Sequence, residues 1–261
     1  MTTNIVVLGA GNVASNFIDA IKSTDIKILQ IYNRHLEGAQ ILAERVNSEA
    51  IDDLKMINTN ADAYFFMLSD TGIMELALQI GEIKGILVHT AGSIPKEVFK
   101  NKTENYGVFY PFQTFSKEMQ VSFSKIPVFI EGSNEYTSNY LRFIAQKLGS
   151  NIHEAGEEKR KYIHLSGVFA CNFMNHCIYL GEKILKDNSI DKEILKPLLE
   201  QSFRKVLNIG AERSQTGPAK RMDNSVIEKH MELLKSDELM YDIYRTLTES
   251  ICKTYNNNHG F

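Results

Sequence analysis

Asn4-Ile5-Val6-Val7-Leu8-Gly9-Ala10-Gly11-Asn12-Val13-Ala14 decides how this chain is read. Four aliphatic residues, Ile5 to Leu8, run into Gly9-x-Gly11-x-x-Ala14, and an amphipathic pattern follows to about Lys22. Between a strand and a helix, such a triplet is the fingerprint of a dinucleotide-binding turn. Gly9 permits the tight turn, Gly11 lets a pyrophosphate approach the backbone, and Ala14 lets the helix pack closely on the strand. The positive helix end and its N–H groups, around Ala10, Gly11, Asn12 and Val13, then face the phosphates. An ordinary strand-to-helix turn is the plainer alternative.

The second strand refines the cofactor. Lys27 to Tyr32 is apolar enough for a buried parallel strand, and it ends in Asn33-Arg34. An NAD site usually carries an acid about 20 residues beyond the glycines, to hold the ribose hydroxyls. Here Asn33 is neutral, and Arg34 offers fixed donors suited to a 2′-phosphate. NADP(H) is therefore expected over NAD(H), unless Arg34 is simply a solvated loop charge.

Strand and helix patterns alternate outward from this unit. Strands are expected at 61–68, 85–89, 106–109, 126–130 and 151–153, and helices at 36–46, 73–80 and 135–148. Alternation of this kind implies a mostly parallel, doubly wound sheet. From about residue 157 the strand signals give way to four helical stretches: 157–186, 191–213, 224–235 and 237–255. Pro197 falls in the first turns of the second stretch, where it costs little. Ser225-x-x-Glu228 has the pattern of a capping box opening the third. The expected fold is α/β: a doubly wound sheet domain, 1–155, followed by a smaller all-helical domain, 156–261.

Composition bounds the function. The chain has 261 residues, 43% hydrophobic and 23% charged, with a net charge of −3. A weakly acidic chain has no broad attraction for nucleic acid or anionic membrane. No run approaches the ~18 apolar residues of a membrane span. The chain enters a strand almost at once, so no signal peptide is expected. Cys171, Cys177 and Cys252 match neither a disulfide framework nor a metal-ligand spacing. A reducing cytoplasm is the expected compartment. The tail from Asn256 to Gly260 is expected to fray.

Ligands of doubly wound sheets bind beyond the carboxyl ends of the strands. Leu68, Ser69 and Asp70 end one strand, and His89-Thr90-Ala91-Gly92-Ser93 ends the next. These small residues could border a nicotinamide ribose or simply form turns. Tyr110 to Ser116 follows a later strand; its aromatics read as packing, while Gln113 and Thr114 could line a pocket mouth.

The segment His164 to His176 is apolar around most of its circumference, so burial is expected. Buried His and Asn need partners, which could be protein groups or a ligand. On a regular helix His164 and Asn172 lie about 12 Å and 80° apart, which one small substrate can bridge. His164 and His176, at about 18 Å and 120°, cannot share it. His164 and Asn172 are thus the first candidate pair, and His176 reads as structural or interfacial. Arg221, in the Gly217 to Asp223 link, could anchor a substrate anion, or the link could be a turn with Asp223 opening a helix.

Taken together, Gly9–Ala14, His89–Pro95, Tyr110–Ser116, the His164–His176 segment and Thr216-Gly217-Pro218-Ala219-x-Arg221 resemble bacterial Rossmann-like proteins with a helical C-terminal domain of unknown function, described as NADP oxidoreductases. The wider relatives are the β-hydroxyacid dehydrogenases, pyrroline-5-carboxylate reductase and the deazaflavin-dependent NADP reductases. The resemblance implies a helical domain that forms a homodimer and an active site between the domains, and it names no substrate. β-Hydroxyacid dehydrogenases carry a proton-transferring Lys four residues before an Asn on this helix. If Asn172 is that Asn, the Lys position is Val168, which cannot exchange a proton. His164 is then the expected proton donor, with Ser93 or water as weaker choices. An NADP(H)-dependent reductase of a small carbonyl or imine compound is expected; an NADP(H)-binding sensor without turnover is the alternative.

Overall fold

The computed structural model describes residues 3–116 and 118–256. Its sheet has eight strands in the order β3-β2-β1-β4-β5-β6-β7-β8. In chain order these are β1 (Thr3–Leu8), β2 (Ile26–Tyr32), β3 (Glu49–Ile51), β4 (Ala63–Phe66), β5 (Ile86–His89), β6 (Tyr106–Pro111), β7 (Pro127–Gly132) and β8 (Asn151–Glu154). All pairings are parallel except β6 with β7, where Gly107 lies opposite Gly132. The doubly wound, mostly parallel α/β fold read from the sequence is therefore the observed one.

Period-two alternation explains why the strands read as continuous apolar runs. Ile5, Val7, Phe65 and Val88 face one core, while Val6, Leu8, Phe66 and Leu87 face another, and all eight are fully buried. A sheet covered on both sides favours apolar residues at most strand positions, with Gln30 in β2 and His89 in β5 as buried polar exceptions. The helices α1 (Asn12–Ile21), α2 (Leu36–Ala43) and α4 (Glu135–Lys147) cover the first face with Phe17, Leu42 and Leu141. The helix α3 (Asp70–Gln79) covers the second with Ile73 and Leu76, joined by Phe99 from a 3-10 turn.

After β8 the chain, among the described residues, is helices and turns. The elements are α5 (Glu157–Gly167), a π-helical segment Val168–Phe173, α6 (Met174–Asp187), α7 (Leu195–Ile209), α8 (Ala211–Ser214), α9 (Pro218–Arg221), α10 (Asn224–Leu233) and α11 (Glu238–Asn256). By its contacts the chain divides into two compact units, Met1–Asn172 and Phe173–Phe261, so α5 belongs with the sheet.

Several expectations are corrected. The strand β3 carries no sequence signal beyond three residues. The helix expected from residue 73 starts at Asp70, because the Ser69 hydroxyl accepts from the Gly72 N–H. The stretch 191–213 breaks at Gly210, whose φ of +82° no regular helix accommodates. Ser225 does not open α10. Asp223 does, accepting from the Val226 N–H, because the chain has already reversed at Met222 with φ +55°. The segment 164–176 is not buried within the single chain: Leu165 is half exposed and Phe169 is 64% exposed. The tail residues 257–260 lie outside the described residues.

Candidate functional site

The turn after β1 is built for backbone approach. Gly9 has φ +120°, and a Cβ there would come within 2.3 Å of the Met67 carbonyl oxygen, so only glycine fits. Its N–H donates to the Tyr32 carbonyl at 2.7 Å, which ties the turn to the end of β2. Gly11 is the N-cap of α1, with no side-chain cap, and a Cβ added to it would meet nothing within 4 Å. That combination leaves an open cradle over an uncapped helix terminus, the geometry that receives a pyrophosphate. The loop after β6 closes one side. The Asn12 side-chain amide donates to the Phe115 carbonyl, and that of Asn16 donates to the Ser116 carbonyl, both at 3.0 Å.

At the end of β2 a cavity of about 430 Å³ gathers Asn33, Arg34, Leu68 and Ser69, all expected from the sequence, with His35 and Glu75, which were not. The Asn33 side chain donates to the His35 carbonyl at 2.9 Å and thereby shapes the turn. The Arg34 guanidinium is largely exposed and meets the Glu75 carboxylate at 3.4 Å. An exposed pair of this kind is worth little to stability, so a dianionic ligand can draw the arginine away at small cost.

A second cavity, of about 520 Å³, brings His164, Asn172 and Gln113 together with Tyr110, Val168 and Cys171. The π-helical segment explains the grouping. On a regular helix Asn172 would stand about 80° around from His164; a π turn takes up roughly one extra residue, which turns it back by about 100° and leaves the two side chains on nearly one face. Local sequence did not disclose this shift of hydrogen-bond register. The Gln113 side chain is partly turned inward on its own loop, accepting from the Thr114 N–H at 2.8 Å.

His164 does not stand alone. Its Nδ1 lies 3.0 Å from the Tyr110 hydroxyl. Gly92 backs onto the pair: a Cβ there would fall 2.8 Å from the Tyr110 ring and 2.9 Å from His164 Nδ1. Burial raises the Tyr110 phenol to about 12, with the Arg160 cation opposing and Asp70 assisting. Tyr110 sits near the carboxyl end of β6, where ligands of such sheets gather, and that position was the available signal for it. Its partner, 54 residues away, left none.

Arg160, one helical turn before His164, holds α5 against the sheet. It is fully buried, pairs with Glu131, and donates to the Ile94 carbonyl at 2.7 Å. Lys96 joins the same carboxylate at 2.6 Å. A buried cation with this many partners locks geometry more than it adds stability.

Other expected residues lie elsewhere. The His89 side chain is fully enclosed in β5; burial, and then the Arg160 charge, lower it to about 3, and its Nδ1 accepts from the Ala91 N–H at 3.2 Å. The imidazole is therefore neutral and turned into the core. Thr90 and Ala91 are buried beside it, and the Thr90 N–H donates to the Phe66 carbonyl at 3.2 Å. Ser93 does not line the His164 cavity; its hydroxyl donates to the Asp70 carboxylate. Arg221 ends α9 in the second unit, exposed to solvent. His176 is also exposed there and stacks on Tyr179 at 5.9 Å. Among the described residues no group of three or more His, Cys, Asp or Glu is placed to hold a metal.

Nearly the whole length of the chain is matched by known structures. A crystal structure from Bacteroides fragilis, described as a putative NADP oxidoreductase, is 40% identical, covering 96% of this chain and 98% of its own, with a TM-score of 0.91. The chain belongs to the family of that protein. Residues 126–251 of this family member match the model of a domain of unknown function, DUF2520, and residues 1–92 match that of shikimate/quinate 5-dehydrogenase. A protein of Thermotoga maritima is 23% identical, covering 96% of this chain and 98% of its own, at a TM-score of 0.69. The reductive aminase of Aspergillus terreus, solved with NADPH and ethyl-5-oxohexanoate, is 12% identical, covering 97% and 95%, at 0.72. At those identities the likeness is one of fold. The curated proteins give no match.

Proposed function

We propose that the chain is an NADPH-dependent reductase of small carbonyl or imine compounds. The observation that carries this reading is the pair of cavities. One presents Asn33 and Arg34 at the end of β2, the strand to which the Gly9 N–H ties the glycine turn, and the other presents His164 and Asn172 together. Gly9, Gly11 and the first turn of α1 would hold the pyrophosphate, and Asn33 and Arg34 the 2′-phosphate end. The bound cofactor would supply a hydride. Asn172 would orient the substrate's carbonyl or imine group, and His164 would give it the proton. The Bacteroides fragilis relative's description and the Aspergillus terreus enzyme's NADPH complex support this direction.

Val168 lines the second cavity, where a proton-transferring lysine would have favoured catalysis outright, and this observation favours the competing reading of a nucleotide sensor. NADPH oxidation across a panel of aldehydes, ketones and preformed imines separates the two. Turnover with at least one class is expected, falling about 100-fold or more in His164→Ala and about tenfold in Asn172→Ala. Oxidation with none of the panel, despite tight NADPH binding, would leave the sensor.

The helical unit is proposed to pair with a second copy. Leu207 and Leu233 are 85% and 79% exposed, and Ile184, Phe203 and Leu247 add to the apolar area left open. Exposed apolar side chains on several helices of one unit are what pairing with a second copy would cover. Sedimentation at micromolar concentration should give twice the chain mass; a monomer would refute the pairing. A reducing compartment such as the cytoplasm is also proposed, supported by the free thiols of Cys171, Cys177 and Cys252. No described helix is long and apolar enough to cross a membrane.

A further inference from the structure

The Tyr110 hydroxyl and His164 Nδ1, 3.0 Å apart, come from a sheet strand and a helix that Arg160 fastens to that sheet. We propose that Tyr110 is the positioning residue of the site: its hydroxyl fixes the tautomer and orientation of His164, so that Nε2 is the nitrogen presented to the substrate cavity. The inference rests on the reading of that cavity as the reacting site.

Three observations fix the pair. The Tyr110 ring is held edge-on by Phe112 at 6.1 Å and lies 6.4 Å from Phe129, so it has little freedom to turn. Gly92 presses on Tyr110 and His164 together, and no larger residue would fit there without parting them. Both side chains line the same cavity as Asn172 and Val168. The chemistry follows from the donor inventory. A phenol keeping its proton donates to Nδ1 of a neutral imidazole, which places the ring proton on Nε2. When His164 is an imidazolium, Nδ1–H donates and the same phenol oxygen accepts. The imidazolium that gives its Nε2 proton to the substrate is left as the neutral Nδ1–H form, from which the phenol oxygen still accepts until a solvent proton returns to Nε2, so one hydroxyl holds the ring throughout, as an orienting group must. Tyr110 touches the reaction only through His164. Its service compensates for Val168, because an imidazole free to rotate would be a poor substitute for a lysine at a fixed helical position.

Tyr110→Phe tests this while keeping the ring packing. Histidine ring ¹⁵N shifts, with His164 assigned by its absence in His164→Gln, report the tautomer directly. In the wild type, at a pH where His164 is neutral, a single tautomer protonated on Nε2 is expected; in Tyr110→Phe, a mixture. The same tautomer population in both proteins would overturn the proposal, whether or not a substrate is in hand. With a substrate from the panel, kcat should fall about tenfold or more in Tyr110→Phe, with KM within about twofold. In the His164→Ala background the same change should cost less than about twofold, since a group acting through another has nothing left to act on. Full additivity would also overturn it. NADPH titration of Tyr110→Phe should match the wild type; failure of the wild type itself to bind NADPH would refute the reductase reading and leave the tautomer result to stand on its own.

Discussion

Replacing Gly11 by serine is expected to leave the protein as stable as before, or slightly more so, while weakening NADPH binding about 100-fold or more. The two effects separate for a structural reason. Gly11 is the N-cap of α1 with ordinary backbone angles, φ −82° and ψ −169°, and a Cβ there meets no atom within 4 Å. Serine is a better N-cap than glycine by a few tenths of a kcal/mol, because its hydroxyl can accept from the free N–H groups of the first turn. Those N–H groups and that empty volume are what a pyrophosphate would use. The substitution fills the cradle and occupies its donors at once. Thermal unfolding and calorimetric titration on the same preparation check both halves. Binding within a few-fold of the wild type, at unchanged stability, would show that the phosphates do not lie there.

Arg34→Ala should remove the preference for the phosphorylated cofactor. A charge-assisted contact of guanidinium with phosphate contributes about 1.5–3 kcal/mol, or roughly 10- to 150-fold in Kd. NADPH affinity is expected to drop by that factor, while NADH affinity stays within about twofold. Glu75, 3.4 Å from Arg34 and lining the same cavity, sharpens the expectation. With the arginine gone, its carboxylate faces the 2′-phosphate position unopposed, which penalises NADPH further and leaves NADH untouched. An equal loss for both nucleotides would assign Arg34 to a general electrostatic role, and no loss for either would make it a solvated charge.

How much of this was legible in the sequence differs by scale. The opening turn was readable because its requirements are local: Gly9 must adopt a positive φ and lack a Cβ, Gly11 leaves the helix terminus open, and both lie between an apolar run and a helix. The two-sided sheet was readable for the same reason, since residues such as Val6 and Val7 are apolar on both faces. The strand β3 was not, because three residues at a sheet edge contribute too few side chains to form a pattern. Asp223 and Ser225 are both good caps only two residues apart, and the left-handed Met222, a feature of chain direction, chose between them. The candidate site was legible in its members more than in its arrangement. His164, Asn172 and Gln113 were named by residue type and position, but Tyr110 read as packing because its partner is remote in sequence. The π-helical register that turns Asn172 toward His164 depends on hydrogen bonding that residue preferences do not record. The apolar stretch from His164 to His176 was expected to be buried, and its exposure in the single chain shows that apolar periodicity alone does not establish burial.

Isothermal titration of the wild-type protein with NADPH, and then with NADH, tests the central claim most directly. One saturable NADPH site per chain is predicted, with NADH at least about tenfold weaker. The absence of heat and of saturation with both nucleotides would contradict it.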